Sequence, residues 1–570
     1  MRTAFIFSIF LFAFLTTGAI GAEKKAWTLL FFISGDEEAI DAWSRVPIRK
    51  LEQLGSDKDH WIVAHTDFYW DEKGTEFISE PARRYLIEKH PGPFDGHDFS
   101  TLAIQSPEIW RSEAETDSAA RANLGAFLQW AIPRYPAEHY ALFVLGHSWG
   151  WRGVGEDVNP GAMLPENPGG PVVDYSMASL AEMKNAVSSI FSKERPLDLL
   201  VLDACNDGVL EIAYEFRDLA RVYAASPTEM TFNSFDYTRS LSRKYRTPQE
   251  LAKFLVLDAI PTYGRGGFQA IEEGDYPALA ITAVDLQKLK TYWKTWKEFV
   301  EHLRDSNFAS LFLGQKSGDW MDNSWNVDLS ELFAELSLKS DKAQVRSLAS
   351  HLQRAWYADA APAWDEQWLI LDTSGGDAVH LRVRGDELQE EALALKQTRE
   401  SFDFMNPELK SLPKEVSFSG KLPDRWVDFR FAWASDRLRI RPYLPGGTEV
   451  FLSVVKGAKT LRQWKREHPT GAFVRGEYPL ESPYIANGHT LGAGRIHGLS
   501  LNLDEVADLT LAAHHHYSEG GWVKGRDLYR ALSFSRDLGW DQILYARSPA
   551  RLPNRPPYHN RLTHLRAKHH

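Results

Sequence analysis

Near-continuous apolar runs recur through the first two hundred residues, separated by stretches with helical spacing. Residues 27–34 (WTLLFFIS), 61–66 (WIVAHT), 140–146 (YALFVLG) and 197–202 (LDLLVL) are each about the length of a strand. Runs apolar on both faces mark strands covered by helices on both sides. Residues 83–87 (RRYLI) are a further strand candidate. Between the first two runs, residues 37–54 read as a helix that contains Pro47 and stops at Gly55. Ser118 is placed to cap a helix with Leu124, Phe127, Leu128 and Ala131 on one face, which Tyr135-Pro136 ends. Alternation of this kind predicts an α/β fold, a mostly parallel sheet flanked by helices.

Further on, Thr247-Pro248-Gln249-Glu250 is a capping box with proline at the first helical position. Asp285 can cap a helix whose Leu286, Leu289, Trp293, Trp296, Val300 and Leu303 form one stripe. Residues 327–336 and 343–356 also read as helical. After about Leu371 the period changes from helical to alternating, as in 379–384 (VHLRVR) and 426–433 (WVDFRFAW), and Pro445-Gly446-Gly447 is a turn before 450–455. The expected organisation is therefore an α/β domain over 23–370 and a β-rich C-terminal domain over 371–570 with a helical tail at 523–532.

The first 22 residues pair Arg2 with an apolar stretch from Ala4 to Leu15 and small residues up to Ala22. This reads as a secretory signal peptide cleaved after Ala22, too short to span a bilayer. It predicts a secreted or periplasmic protein without stable membrane insertion. Export changes the reading of Cys205, the one cysteine among 570 residues. Exported proteins use cysteine mostly in pairs, so a single one is either a reactive thiol or a partner for another chain. A net charge of −12 argues against nucleic acid as a partner.

Two of the apolar strands end in chemistry. Residues 140–146 lead to His147, and 197–202 lead through Asp203-Ala204 to Cys205. Ligands of open parallel sheets bind outside the carboxyl ends of the strands. A thiol and an imidazole there are the minimal kit for acyl transfer, a nucleophile and a general acid for the leaving amine. Val209, Ile212, Ala213 and Phe216 predict a helix after Cys205, whose positive pole would lower the thiol pKa. A rival lies in Gly146–Gly150, GHSWG, which fits the nucleophile elbow of serine esterases and lipases and would make Ser148 the nucleophile. An elbow must lead into a helix, whereas residues 152–171 are rich in Gly, Pro and Asn and read as a loop. His514-His515-His516 lacks the spacing of metal ligands, since neighbours on a strand point to opposite faces. No metal and no cofactor are expected from the residues.

The stretches 27–36, 83–87, 135–151 (YPAEHYALFVLGHSWGW) and 197–215 (LDLLVLDACNDGVLEIAYE) together resemble the clostripain family of cysteine peptidases, which share the caspase-like fold. The resemblance runs from Trp27 to about Ala361 and thins after Tyr237. It implies a dyad of His147 and Cys205 acting on protein or peptide substrates, with the N–H groups of Ser148 and Cys205 as oxyanion donors. It also implies that Asp203 lines the pocket for the residue before the scissile bond and selects Arg or Lys, with Asp207 and Glu229 as further pocket candidates. Calcium dependence of some members comes with the resemblance alone. The family usually has Gly where this chain has Ser148, which leaves open a non-catalytic binding protein on the same fold. Many members activate by self-cleavage after a basic residue between His and Cys. Residues 153–183 contain no Lys or Arg, so a single-chain enzyme, or activation by cleavage elsewhere, is expected.

Overall fold

The computed structural model describes residues 23–357, apart from 36–40, 69–80, 95–98, 114–120, 158–175, 229, 231–234, 260–278 and 313–325, and then a series of strands and short segments between 369 and 544. Strands β1 (Lys25–Gly35), β2 (His60–Phe68), β3 (Arg83–Leu86), β4 (Glu108–Arg111) and β5 (Ala137–Leu145) come first. A small hairpin, β6 (Val154–Asp157) and β7 (Ser176–Ala178), precedes β8 (Leu197–Asp203), β9 (Ala220–Ala225) and β10 (Ala280–Asp285). One sheet holds ten strands in the order Ala472–Arg475, Tyr484–Thr490, β10, β9, β8, β5, β1, β2, β3, β4. Its five central strands, from β9 to β2, are parallel, and both flanks are antiparallel. The parallel centre is where the apolar runs fall, because only strands covered on both faces need side chains that are apolar on both.

The two-residue period then sorts those side chains. Leu30, Phe32, Leu142, Val144, Leu200 and Leu202 enter one core, and Leu29, Phe31, Ala141, Phe143, Leu199 and Val201 enter the other. Helices α1 (Asp41–Glu52), α5 (Tyr237–Ser242) and α6 (Pro248–Ala259) cover the second face. Helices α2 (Arg121–Arg134), α3 (Leu180–Ser188) and α4 (Leu210–Glu215) cover the first, joined by Trp293–Leu303, Leu329–Lys339 and Ala343–Tyr357. The expected capping box is present, with Thr247 Oγ1 accepting the Glu250 N–H and Glu250 accepting the Thr247 N–H. The helix expected to start at 327 starts at Leu329 instead, because Asp328 caps it by accepting from the Ser330 and Glu331 N–H groups. The signal segment 1–22, Ser118 and His514–His516 lie outside the described residues. Among the described residues no helix is long and apolar enough to cross a membrane.

The single boundary expected at about 371 does not match the strand pairing. Residues 369–468 do form antiparallel sheets of their own, of four and five strands. The chain then returns to the first fold. Tyr484–Thr490 pairs with β10, Ser500–Asn502 pairs with Asn326–Asp328, and Tyr529, Phe534 and Trp540 are wholly buried in the first core. The reason is local to β10. Without a partner on its outer side it would leave a row of unpaired backbone groups at a sheet edge.

Candidate active site

Strands β5 and β8 are parallel neighbours, and Leu145 pairs with Asp203. The next two residues on β5 are Gly146 and His147, and the next two on β8 are Ala204 and Cys205. His147 and Cys205 therefore leave the sheet at the same level, on strands about 4.8 Å apart. Both are partly buried. The Met230 N–H donates to Cys205 Sγ at 3.3 Å, and the Met230 carbonyl lies 3.6 Å from the same sulfur. One backbone unit can thus accept from the thiol or donate to the thiolate.

Helix α4 starts later than the spacing of Val209 and Ile212 suggests. Its first residue is Leu210, five positions past the cysteine. Between them Asn206 takes a left-handed turn with φ of 60°, a conformation asparagine tolerates better than most residues. Gly208 follows so close to Pro227 that a Cβ would come within 2.4 Å of its nitrogen. The pole of α4 is therefore not what faces the sulfur, and the Met230 N–H takes that place.

After His147 the chain enters a tight loop. The Trp149 N–H donates to Gly153 and the Gly155 N–H to His147, so Ser148 faces Val154 across a two-residue bridge in which its own N–H takes no part. The loop continues as a single 3₁₀ turn, Gly150–Arg152, and then as β6. That is not an elbow, which must lead into a helix. Ser148 is also 4% exposed, and its Oγ lies 2.9 Å from the Gly153 oxygen, 2.5 Å from Asp207 Oδ1 and 3.1 Å from the Gly150 nitrogen. The esterase reading of GHSWG gives this hydroxyl no access to a substrate.

The pocket candidates separate. Asp203 is partly buried at the end of β8 and accepts a hydrogen bond from Tyr237 Oη at 2.6 Å. Burial pushes its carboxyl up to about 6, while the Tyr237 hydroxyl and the Lys50 ammonium pull it back. Lys50, in the last turn of α1, is pushed down to about 8 by burial against the opposing pull of Asp236 and Asp203. Asp207 does not line an open pocket. It is wholly buried and bound to Ser148, and its main-chain oxygen accepts from Tyr223 Oη. Glu229 lies outside the described residues. Sequence reasoning missed Lys50 and Met230. Lys50 is a helix residue far away in the chain, and Met230 acts through its backbone, which no side-chain pattern reports. Among the described residues no cluster of three or more His, Cys, Asp or Glu could hold a metal ion.

A secreted C11 cysteine protease from Bacteroides thetaiotaomicron, solved with an irreversible peptide inhibitor, is 15% identical over 57% of this chain and 81% of its own, with a TM-score of 0.40. An inactive zymogen C11 protease from Parabacteroides distasonis is 15% identical over 58% of this chain and 82% of its own, with a TM-score of 0.41. No curated protein matches. The model of the clostripain family matches residues 103–345, a span that holds β5, β8, His147 and Cys205. By that match residues 103–345 are similar to the clostripain family, and the chain is a cysteine endopeptidase.

Proposed function

We propose that this endopeptidase is exported, works through a Cys205–His147 dyad and cuts after basic residues. The observation that carries the dyad is the pairing of Leu145 with Asp203, which brings the two residues off neighbouring strand ends at one level. The Cys205 thiolate attacks the scissile carbonyl carbon and forms a sulfur–carbon bond. The carbonyl oxygen becomes an oxyanion facing the N–H groups of Ser148 and Cys205. As the carbon–nitrogen bond breaks, His147 gives its proton to the leaving amine. Water then hydrolyses the thioester, giving a proton to His147 and its oxygen to the acyl carbon, and the Cys205 thiolate leaves.

Asp203 supplies the preference. A carboxylate held by Tyr237 at the end of β8 stands two residues before the nucleophile, where it can form a charge-assisted hydrogen bond with an Arg or Lys side chain. Export is supported by the signal-like residues 1–22 and is checked by sequencing the amino terminus of secreted protein, which should begin at Glu23.

The test is cleavage of fluorogenic peptides ending in Arg, Lys, Asn or Ala, with a p-nitrophenyl ester as control. Cys205→Ala and His147→Ala should each lower kcat at least about 10³-fold on the Arg and Lys peptides. Cleavage after Asn or Ala alone would keep the dyad and remove Asp203 as selector. Turnover surviving Cys205→Ala but lost in Ser148→Ala would overturn the thiol mechanism.

A further inference from the structure

Asp207 is a buried carboxyl that the proposed mechanism does not use. It sits two residues past the nucleophile, is wholly buried, and directs Oδ1 at Ser148, the residue after the proposed general acid. Its other oxygen, Oδ2, is buried with no hydrogen-bond partner among the described residues.

A hydroxyl has one hydrogen and two lone pairs. The Ser148 hydrogen has two acceptors in reach, the Gly153 carbonyl at 2.9 Å, which already accepts the Trp149 N–H, and Asp207 Oδ1 at 2.5 Å. The Gly150 N–H at 3.1 Å can only donate, and it takes one lone pair. The shorter of the two acceptor contacts is the one to Asp207 Oδ1, to which the Ser148 hydroxyl donates. Burial raises the Asp207 pKa well above the ordinary carboxylate range, with the Ser148 hydrogen bond opposing.

The contact joins the two loops that carry the dyad. The nucleophile turn is otherwise tied towards β9, by Asn206 N–H to Thr228, Gly208 N–H to Ser226 and Tyr223 Oη to the Asp207 oxygen. The histidine loop is tied towards β6, by Gly155 N–H to His147 and Trp149 N–H to Gly153. Between the loops run the Ser148–Asp207 bond and the approach of Gly150 to Asn206, where φ is +65° and a Cβ would come within 2.7 Å of the Asn206 oxygen.

We propose that Asp207 is a positioning residue, whose hydrogen bond to Ser148 Oγ locks the histidine loop onto the nucleophile turn and sets the reach from His147 to Cys205. This role rests on the dyad reading above. It gives a use to Ser148 as well, the departure from the family pattern beside the histidine. A displacement of about 1 Å between reacting groups can cost on the order of 10²-fold in rate.

The experiment compares Asp207→Ala, Asp207→Asn, Ser148→Ala and the Ser148→Ala/Asp207→Ala double variant in the full chain. Two readouts are taken: kcat and KM on an Arg peptide, and the pH dependence of Cys205 alkylation by iodoacetamide. Asp207→Ala should lose about 10- to 100-fold in kcat with KM changed less than about threefold. Asp207→Asn keeps an oxygen that accepts from Ser148 and should restore most of that loss. The double variant should be no worse than the poorer single variant. Alkylation of Cys205 near neutral pH should slow about tenfold in Asp207→Ala and recover in Asp207→Asn. Asp207→Asn as impaired as Asp207→Ala would overturn positioning through this hydrogen bond, and so would Asp207→Ala with unchanged kcat and alkylation but a lowered Tm. If the unaltered protein cuts no peptide, the dyad reading fails, and alkylation still decides whether Asp207 positions the thiol.

Discussion

Tyr529 and Glu211 meet across 318 positions of sequence: the tyrosine hydroxyl donates to Glu211 Oε1 at 2.8 Å, inside the core. Glu211 lies on α4, just past the turn that holds Cys205, and the Tyr529 ring also packs edge-on to Trp151 of the loop after His147, with centroids 4.7 Å apart. Ser500 adds a second hold, donating its N–H to Gly208 at 2.8 Å. The returning part of the chain therefore braces both loops of the site.

Removing that brace should be felt. Tyr529→Phe withdraws the donor from a buried carboxyl and should lower stability by about 1–3 kcal/mol, read as a fall in Tm. A chain ending at residue 470 loses Tyr484–Thr490, exposes the edge of β10 and vacates the places of Tyr529 and Trp540. It should aggregate. A monomeric, fully active truncated chain would show the returning segment to be dispensable.

Asp203 makes a pH prediction with a definite sign. Burial pushes its pKa up to about 6, so the acceptor for a basic side chain loses its charge as pH falls through 6. The ratio of kcat/KM on an Arg peptide to that on an Ala peptide should fall by up to about tenfold per pH unit below 6. It should stay flat with pH in Asp203→Asn.

The same carboxyl bears on stability in the opposite sense. Its folded pKa lies above its unfolded one, so the folded state holds the proton more tightly, and stability falls as pH rises from the unfolded value through about 6. Asp203→Asn, whose amide oxygen can still accept from Tyr237, should raise Tm at pH 8, with the gain fading towards pH 4. A Tm gain independent of pH would contradict this.

Phe143 on β5 stacks on Phe31 of β1 with centroids 4.3 Å apart, and Tyr237 packs edge-on to both. Phe143→Ala should cost about 3–5 kcal/mol in denaturant unfolding. It should also disturb the Arg preference, since the same Tyr237 holds Asp203.

Residues 153–183 contain no Lys or Arg. Purified protein incubated with its own activity should keep one intact mass across that segment. A cut there would show processing at a residue that is not basic.

Much of the site was legible because it is written in short stretches. The apolar runs at 140–146 and 197–202 announce β5 and β8, and the residues that end them are adjacent in sequence to the runs themselves. The strands at 378–385, 428–434 and 448–456 follow the alternation that predicts them. What the sequence did not show were particular partners supplied from elsewhere in the chain. Strands Ala220–Ala225 and Ala280–Asp285 carry too little apolar bulk to stand out as runs. The helix expected to direct its pole at Cys205 is pushed back by the left-handed turn at Asn206 and the packing of Gly208 on Pro227.

Sequence by itself determined the period of the strands, the residues at their ends and the order His147 before Cys205, because periodicity and strand termini are local properties of the chain. Only the tertiary structure decided that Asp203 faces Tyr237 while Asp207 turns inward to Ser148, and that Tyr484–Thr490 completes the sheet begun by Lys25–Gly35. Those outcomes depend on desolvation and on hydrogen-bond partners supplied from far along the chain. A carboxyl four residues from another carries no mark in sequence of which will meet water and which will be sealed in the core.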